Sequence, residues 1–292
     1  MNEALHKGSC ESRVVYGSTH RRQRAARSAA ASTAGPRTGE PRDRRAGGGM
    51  RGGARWFGLH AAPDHPARTG ELMKIGIIGA GNIGGNLTRR LTALGHEVSV
   101  ANSRGPETLA DLAKETGATP VTVAEAARGA EVVVVTVPLK NVANLPAGLF
   151  DAAAKDFVLI ETGNYYPQQR DGRIAEIEDE GLTESGWSQR RLGHPVVKAF
   201  NGTYAEDILA LHRPAGAPDR VALPVAGDDA RAKRIVRELI DELGFDTVDA
   251  GGIDDSWRQQ PGTPVYGLRA GTDAVVKALA EASPVRQAAF KG

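Results

Sequence analysis

One run of eleven residues limits this chain more than any other feature. Lys74–Ile78 reads KIGII and is followed at once by Gly79, Ala80, Gly81, Asn82, Ile83 and Gly84. A short apolar strand, a GxGxxG turn and the opening of a helix, in that order, make the fingerprint of a dinucleotide-binding βαβ unit. Each glycine has its own task there. Gly79 permits the tight turn, Gly81 lets a pyrophosphate approach the backbone, and Gly84 lets helix and strand pack closely. The helix start then offers unpaired N–H groups and a partial positive charge to the phosphates.

The downstream pattern repeats this alternation of strand and helix. Strands are expected at 75–78, 97–101, 120–123, 132–137, 157–161, 196–200, 221–226 and 245–249, and helices at 83–94, 107–116, 123–127, 229–243 and 271–282. Within 83–94 the apolar Ile83, Leu87, Leu91 and Leu94 share one face, and Gly95 supplies the stop. Five valines in the six residues 132–137 mark a central parallel strand covered on both faces. The pattern implies an α/β fold, a Rossmann-type doubly wound parallel sheet with a small C-terminal portion. We expect residues 73–200 to form the nucleotide-binding domain. Residues 201–292 are expected to continue the same sheet and to form the acceptor site.

Residues 1–72 are of another kind. They carry 12 arginines and one lysine against six acids, a net of +7, whereas the remainder is −5. Such a segment lacks lasting apolar periodicity and cannot bury enough surface to offset chain entropy, so a disordered basic tail is expected. A targeting peptide, a basic arm for nucleic acid and upstream sequence from a misplaced translation start all fit it. The third is preferred, because Met73 and Lys74 lead straight into the first strand. No run approaches the roughly 18–20 apolar residues that span a bilayer. Neither a membrane nor a nucleic-acid partner is therefore expected, and the reading is a cytoplasmic protein. The one cysteine, Cys10, lies in the tail, and His96, His194 and His212 share no ligand-like spacing. Thiol chemistry and a metal are not expected.

The end of the second strand chooses between cofactors. Enzymes that use NAD commonly place an acid there for the ribose hydroxyls, but this chain has Asn102, Ser103 and Arg104. A guanidinium and a hydroxyl suit a 2′-phosphate that a carboxylate would repel, so NADP(H) is expected. Ligands of such sheets lie beyond the carboxyl ends of the strands. Val137 and Pro138, with Gly163 and Asn164 after the next strand, are accordingly expected along the nicotinamide ribose. Tyr165, Tyr166, Trp257, Arg258 and Tyr266 offer flat rings and a guanidinium to a planar, polar substrate. The competing reading is that these rings fill the junction with the C-terminal portion. Lys198 and Asn201, at the end of a later strand, are the candidate catalytic groups, and His194 beside Pro195 is read as structural.

The run Lys74 to Gly84, together with Asn102, Ser103 and Arg104, resembles the NADP oxidoreductases that use the deazaflavin coenzyme F420. Three later stretches extend the likeness over nearly all of 73–292: VKAFN at 197–201, LPVAGDD at 223–229 and DAGG at 249–252. The N-terminal part is also similar to pyrroline-5-carboxylate reductases and β-hydroxyacid dehydrogenases. The resemblance implies a homodimer, no metal, and hydride transfer between the nicotinamide and a stacked deazaflavin or flavin. The chain departs from the pattern at Asn201, where these enzymes tend to have His, and the stretches 164–172 and 255–266 look like a separate branch. The expected function is an NADP(H)-dependent oxidoreductase whose small-molecule redox substrate is coenzyme F420 or a flavin. The alternatives are a reductase of a small imine or carbonyl compound, with Lys198 as proton donor, and a non-catalytic NADP(H)-binding sensor.

Overall fold

In the computed structural model of the protein, which describes residues 71–292, six short strands pair side by side. They are β1 Lys74–Ile78, β2 Glu97–Ala101, β3 Thr119–Pro120, β4 Val132–Val135, β5 Val158–Glu161 and β6 Val196–Lys198. Their order is β3-β2-β1-β4-β5-β6, and every pairing is parallel. This is the Rossmann arrangement. The strand order reverses between β1 and β4, and a crevice opens there beyond the carboxyl ends. The expected tail lies outside the described residues, apart from Glu71 and Leu72.

The helices are α1 Asn82–Ala93, α2 Ala110–Thr116, α3 Leu139–Val142, α4 Ala175–Glu178, α5 Glu184–Leu192, α6 Asp207–Ala210, α7 Ala230–Glu242 and α8 Thr272–Ala280. Strand residues alternate between two apolar layers, as the pleat dictates. Ile75, Ile77, Val132, Val134, Val158 and Ile160 pack with Leu87 and Leu91 of α1 and with Val236, Leu239 and Ile240 of α7. Val133, Val135 and Leu159 pack on the other side with Ala126, Ala127 and Leu149. Coverage on both faces explains why all of β4 and β5 is buried. No helix among the described residues is long and apolar enough to cross a membrane.

The expectation that 201–292 continues the sheet is corrected. β7 Ala222–Val225 and β8 Asp246–Asp249 form their own parallel pair. β7 meets β6 at a single antiparallel bridge, where Lys198 N donates to Ala226 O at 2.8 Å and Ala226 N to Lys198 O at 3.1 Å. The carbonyls of Val221 and Val225 accept from the β8 side, so the opposite edge of β7 belongs to residues 222, 224 and 226. Ala222 N–H is taken by Ala270 O. Position 224 is proline, which has no N–H to offer. The ladder towards β6 therefore stops after one rung.

Two local expectations also shift. The helix expected at 123–127 is a series of turns, with Ala126 O lying where a Cβ on Gly76 would collide. Only a tight turn fits that close to β1. The strand expected at 120–123 pairs only at Thr119 and Pro120, because Thr122 turns away, its N–H and hydroxyl both held by Glu125 Oε2 at 3.1 and 2.7 Å. The segment 167–192 holds helical elements where none is expected: one π turn over Pro167–Asp171, then α4 and α5. α5 starts at Thr183, whose Oγ1 accepts Gly186 N–H at 2.9 Å, and stops at Gly193 in the left-handed region.

Candidate functional site

At the end of β1 the chain turns through Gly79 with φ +111°. A Cβ there would crowd the carbonyl of Thr136, at 2.8 Å from its carbon, so the turn lies directly on the end of β4. Gly84 is tighter still. Its Cβ would collide with Gly79 O and stand 2.7 Å from Thr136 Cγ2. At Gly81 a Cβ would meet nothing within 4 Å. Two of the three glycines are thus required by the protein's own packing, and the middle one faces open space.

That space is a cleft of about 610 Å3. Gly79, Ala80 and Gly81 line it with Asn102, Ser103, Arg104, Val137 and Pro138, drawn from the ends of β1, β2 and β4. Asn82 and Ile83 open α1, which has no side-chain cap, and Ile83 packs on the core. Leading N–H groups without a capping side chain are the arrangement that receives phosphate at a helix start. A second cavity, of about 510 Å3, adjoins the cleft at Leu145 and Pro146 but touches none of the glycine turn. His194 lies on it, its ring tilted against that of Phe157 with centroids 4.2 Å apart and its Nδ1 bonded to Pro195 O at 2.8 Å.

The three residues after β2 divide their work. Asn102 Oδ1 accepts Arg104 N–H at 2.8 Å, and its Nδ2 donates to Thr108 Oγ1 at 2.9 Å. The amide side chain therefore shapes the turn. Ser103 and Arg104 are left exposed on the rim of the cleft.

The ends of β5 and β6 are tied together by buried charge. Lys198, expected as a catalytic group, is fully buried. Its Nζ donates to Glu161 Oε2 at 3.0 Å and to Gly163 O. Glu161, buried as well, accepts Gly163 N–H at Oε1 and Ser185 Oγ at Oε2, the latter at 2.7 Å. One ion pair thus holds both backbone groups of Gly163, where a Cβ would strike Glu161 Oε1. A buried charge is tolerable only when paired, so Lys198 is committed to Glu161 and is not placed to give its proton to a substrate.

Asn201 is likewise drawn inward. Phe200, the one non-glycine with positive φ among the described residues (+62°), turns the chain after β6. Asn201 Nδ2 then donates to Asn164 Oδ1 at 3.0 Å and to Gln259 O at 2.6 Å, and its Oδ1 accepts Gln259 Nε2 at 3.1 Å. Asn164 Nδ2 returns a bond to Asn201 O at 2.8 Å. Asn201 is buried and joins strand ends, while Asn164 stays half-exposed.

The five substrate candidates separate. Tyr165 is 0% exposed among Leu139, Val142, Ile177 and Trp187, with its hydroxyl accepting Ile174 N–H at 2.9 Å. It is a core residue, which corrects its expected place in a substrate site. Trp257 lies under the Arg258 guanidinium at 4.7 Å, and Arg258 reaches Leu279 O of α8 at 3.5 Å. Tyr166 and Tyr266, both half-buried, share a hydrogen bond between their hydroxyls.

Sequence reasoning missed Glu184 and Arg286, and the pairings of Glu161 and Gln259. Glu184 is fully buried and accepts Tyr165 N–H at 3.0 Å and Arg286 Nη1 at 2.8 Å. Burial pushes its carboxyl pKa up, against the pull of Lys198 and Arg286. A usable signal existed for one pair only. VLIE and VVK each end an apolar strand on a lone charge of opposite sign, and Glu161 stands in register with Lys198.

Residues 74–165 match the family model described as NADP oxidoreductase, coenzyme F420-dependent. Among curated relatives, protein YjhV of Escherichia coli K12 is 47% identical over 53 residues, which are 18% of this chain and 39% of that protein. Among solved structures, the hypothetical protein SMa0349 of Sinorhizobium meliloti is 28% identical with a TM-score of 0.58, over 70% of this chain and 97% of that one. A provisionally named F420-dependent NADP reductase from Arthrobacter sp. FB24 is 26% identical with a TM-score of 0.47, over 62% of this chain and 86% of that one. From β1 through β5, the stretch that builds the glycine turn and the cleft, the chain resembles the coenzyme F420-dependent NADP oxidoreductases.

Proposed function

We propose that this protein is an NADP(H)-dependent oxidoreductase that moves a hydride between NADPH and a second small redox molecule, coenzyme F420 or a flavin. One observation carries the reading. The cleft gives Gly81 open space where a pyrophosphate needs it and carries Ser103 and Arg104 on its rim. Gly79 to Gly84 would hold the pyrophosphate, Ser103 and Arg104 the 2′-phosphate, and Val137, Pro138 and Asn164 the nicotinamide ribose. The dinucleotide supplies the hydride. The chain's task is to hold two rings in register and keep water away. We assign the acceptor to the carboxyl edge of β5 and β6, roofed by residues of 201–292, and a homodimer belongs to the same proposal. Reduction of an imine or carbonyl by way of Lys198 loses its proton donor to the Glu161 pair.

The test is a titration with NADPH and NADH of the wild type and of Ser103→Ala with Arg104→Ala. Hydrogen bonds to a charged group are worth about 1.5–3 kcal/mol, and exposure puts these at the lower end. NADPH affinity should fall roughly tenfold or more, with NADH nearly unchanged. Equal losses for both would remove these residues from the phosphate. NADPH binding without turnover on coenzyme F420, FMN, menadione and 1-pyrroline would favour a sensor.

A further inference from the structure

Transfer of a hydride to a C=N or C=O group must be matched by a proton, and most candidate donors near the acceptor edge are already engaged. Lys198 and Glu161 neutralise each other in the interior. Glu184 is sealed under Arg286, and His194 precedes β6 and so stands at the opposite end of that strand. The tyrosine pair is a further candidate. Tyr166 comes two residues after Asn164, in the loop that leaves β5. Tyr266 is moored to the loop that leaves β6: Gly267 N–H donates to Gly202 O at 3.0 Å, and a Cβ on Gly202 would stand 3.7 Å from Tyr266 Cα. The two hydroxyls meet between the loops that leave β5 and β6, and β5 is the neighbour of β4, whose end lines the cleft. Arg170 lies over the Tyr166 ring at 5.1 Å, and the Phe290 ring packs at 6.2 Å on the same tyrosine. The pair is half-buried, so it can reach a ligand while remaining shielded from bulk water.

We propose that Tyr266, backed by Tyr166, is the proton donor of the reaction and that the acceptor is a conjugated imine or carbonyl. This rests on the oxidoreductase reading. As the C4–H bond of the dihydronicotinamide breaks, its electron pair forms the new bond to hydrogen on the acceptor. The acceptor's π pair moves onto its nitrogen or oxygen, and that atom takes the Tyr266 proton. Solvent then reprotonates Tyr266, whose hydroxyl Tyr166 holds in place. NADPH is oxidised by two electrons and the acceptor gains two electrons and two hydrogens. Burial and the Tyr166 hydroxyl both push the Tyr266 pKa up, so the donor stays protonated through the whole neutral range.

The experiment compares wild type, Tyr266→Phe and Tyr166→Phe in three measurements. These are NADPH affinity, steady-state kinetics with FMN, menadione and 1-pyrroline, and alkaline titration of tyrosinate absorbance. Tyr266→Phe should lower kcat about a hundredfold or more, the usual range for a lost general acid, with NADPH affinity and thermal midpoint unchanged. Tyr166→Phe should give a smaller loss. It should also bring the ionisation of Tyr266 to lower pH, a change visible without any turnover. Full kcat in Tyr266→Phe, or an unshifted tyrosinate titration in Tyr166→Phe, would overturn the donor assignment while leaving the cofactor reading intact. A wild type that binds NADPH but reduces none of these three acceptors would overturn the donor assignment and leave the cofactor reading standing, and a wild type that does not bind NADPH would remove the cofactor reading first.

Discussion

Replacing two glycines of the same turn by alanine should have opposite consequences. In Gly84→Ala the new methyl collides with Gly79 O and stands 2.7 Å from Thr136 Cγ2. The first obstacle is backbone and cannot swing aside, so α1 must move off β1 and β4. Overpacking of this kind costs about 1–3 kcal/mol, occasionally more. At roughly 2–4 °C per kcal/mol for a chain of this size, the thermal midpoint should drop by about 2–12 °C. In Gly81→Ala the methyl meets nothing within 4 Å, and φ is −76°, which alanine adopts freely. The loss of a glycine cap costs a few tenths to about 1 kcal/mol, and the reduced freedom of the unfolded chain returns about 0.4–1 kcal/mol. Its midpoint should stay within about 2 °C of wild type. NADPH affinity, in contrast, should fall at least about tenfold, because the methyl occupies the space assigned to the pyrophosphate. Differential scanning fluorimetry beside a fluorescence titration of NADPH reads both quantities. Equal destabilisation by the two changes, or wild-type NADPH affinity in Gly81→Ala, would refute the assignment of roles within the turn.

Lys198→Met should strand Glu161 in the interior and cost about 3–5 kcal/mol in urea unfolding, whereas Lys198→Met combined with Glu161→Leu should recover most of it. Recovery of nothing would mean that the pair does not act as a unit. Glu184 sets a pH dependence, since its folded-state pKa is raised by burial. Below the ordinary carboxyl range it is protonated in folded and unfolded chains alike. As pH rises the unfolded chain ionises first, so this group's contribution to stability declines until the folded group ionises too. Glu184→Gln should flatten that decline in denaturant midpoints taken across about pH 4–7. An unchanged profile would show that Glu184 titrates alike in the folded and unfolded chain.

The glycine turn and the cleft beside it could be read from the chain because their logic is local. Gly79, Gly81 and Gly84 lie within six residues, and Asn102 to Arg104 follow the next strand directly. The interior of the acceptor end obeys no such spacing. Glu161 with Lys198, Glu184 with Arg286, and Asn164 with Asn201 and Gln259 are pairs made by neighbouring strand ends and by loops far apart in sequence. Without them, Lys198 and Asn201 read as free polar groups at a strand end, and the structure withdraws both from solvent. Tyr165 and Tyr166 are adjacent in sequence, yet one is core and the other half-exposed, a difference that alternation along an extended segment produces. α5 escaped notice because ESGWSQRRL holds only two large apolar residues, and its buried face is built from Glu184, Ser185, Trp187 and Ser188.

The capture of Gly163 at both its N–H and its C=O has a consequence for how a ligand would be received. The stretch leading to Asn164 is ordered by the Glu161–Lys198 pair before anything binds, so contact there would ask for little loss of chain entropy. The rim at Ser103 and Arg104 is the reverse: two exposed side chains that must be immobilised, at about 0.5–1.5 kcal/mol for a long flexible one. The two regions therefore differ in adaptability. Substitution at the rim leaves the interior undisturbed, whereas the same number of changes around Gly163 would have to rebuild a buried ion pair.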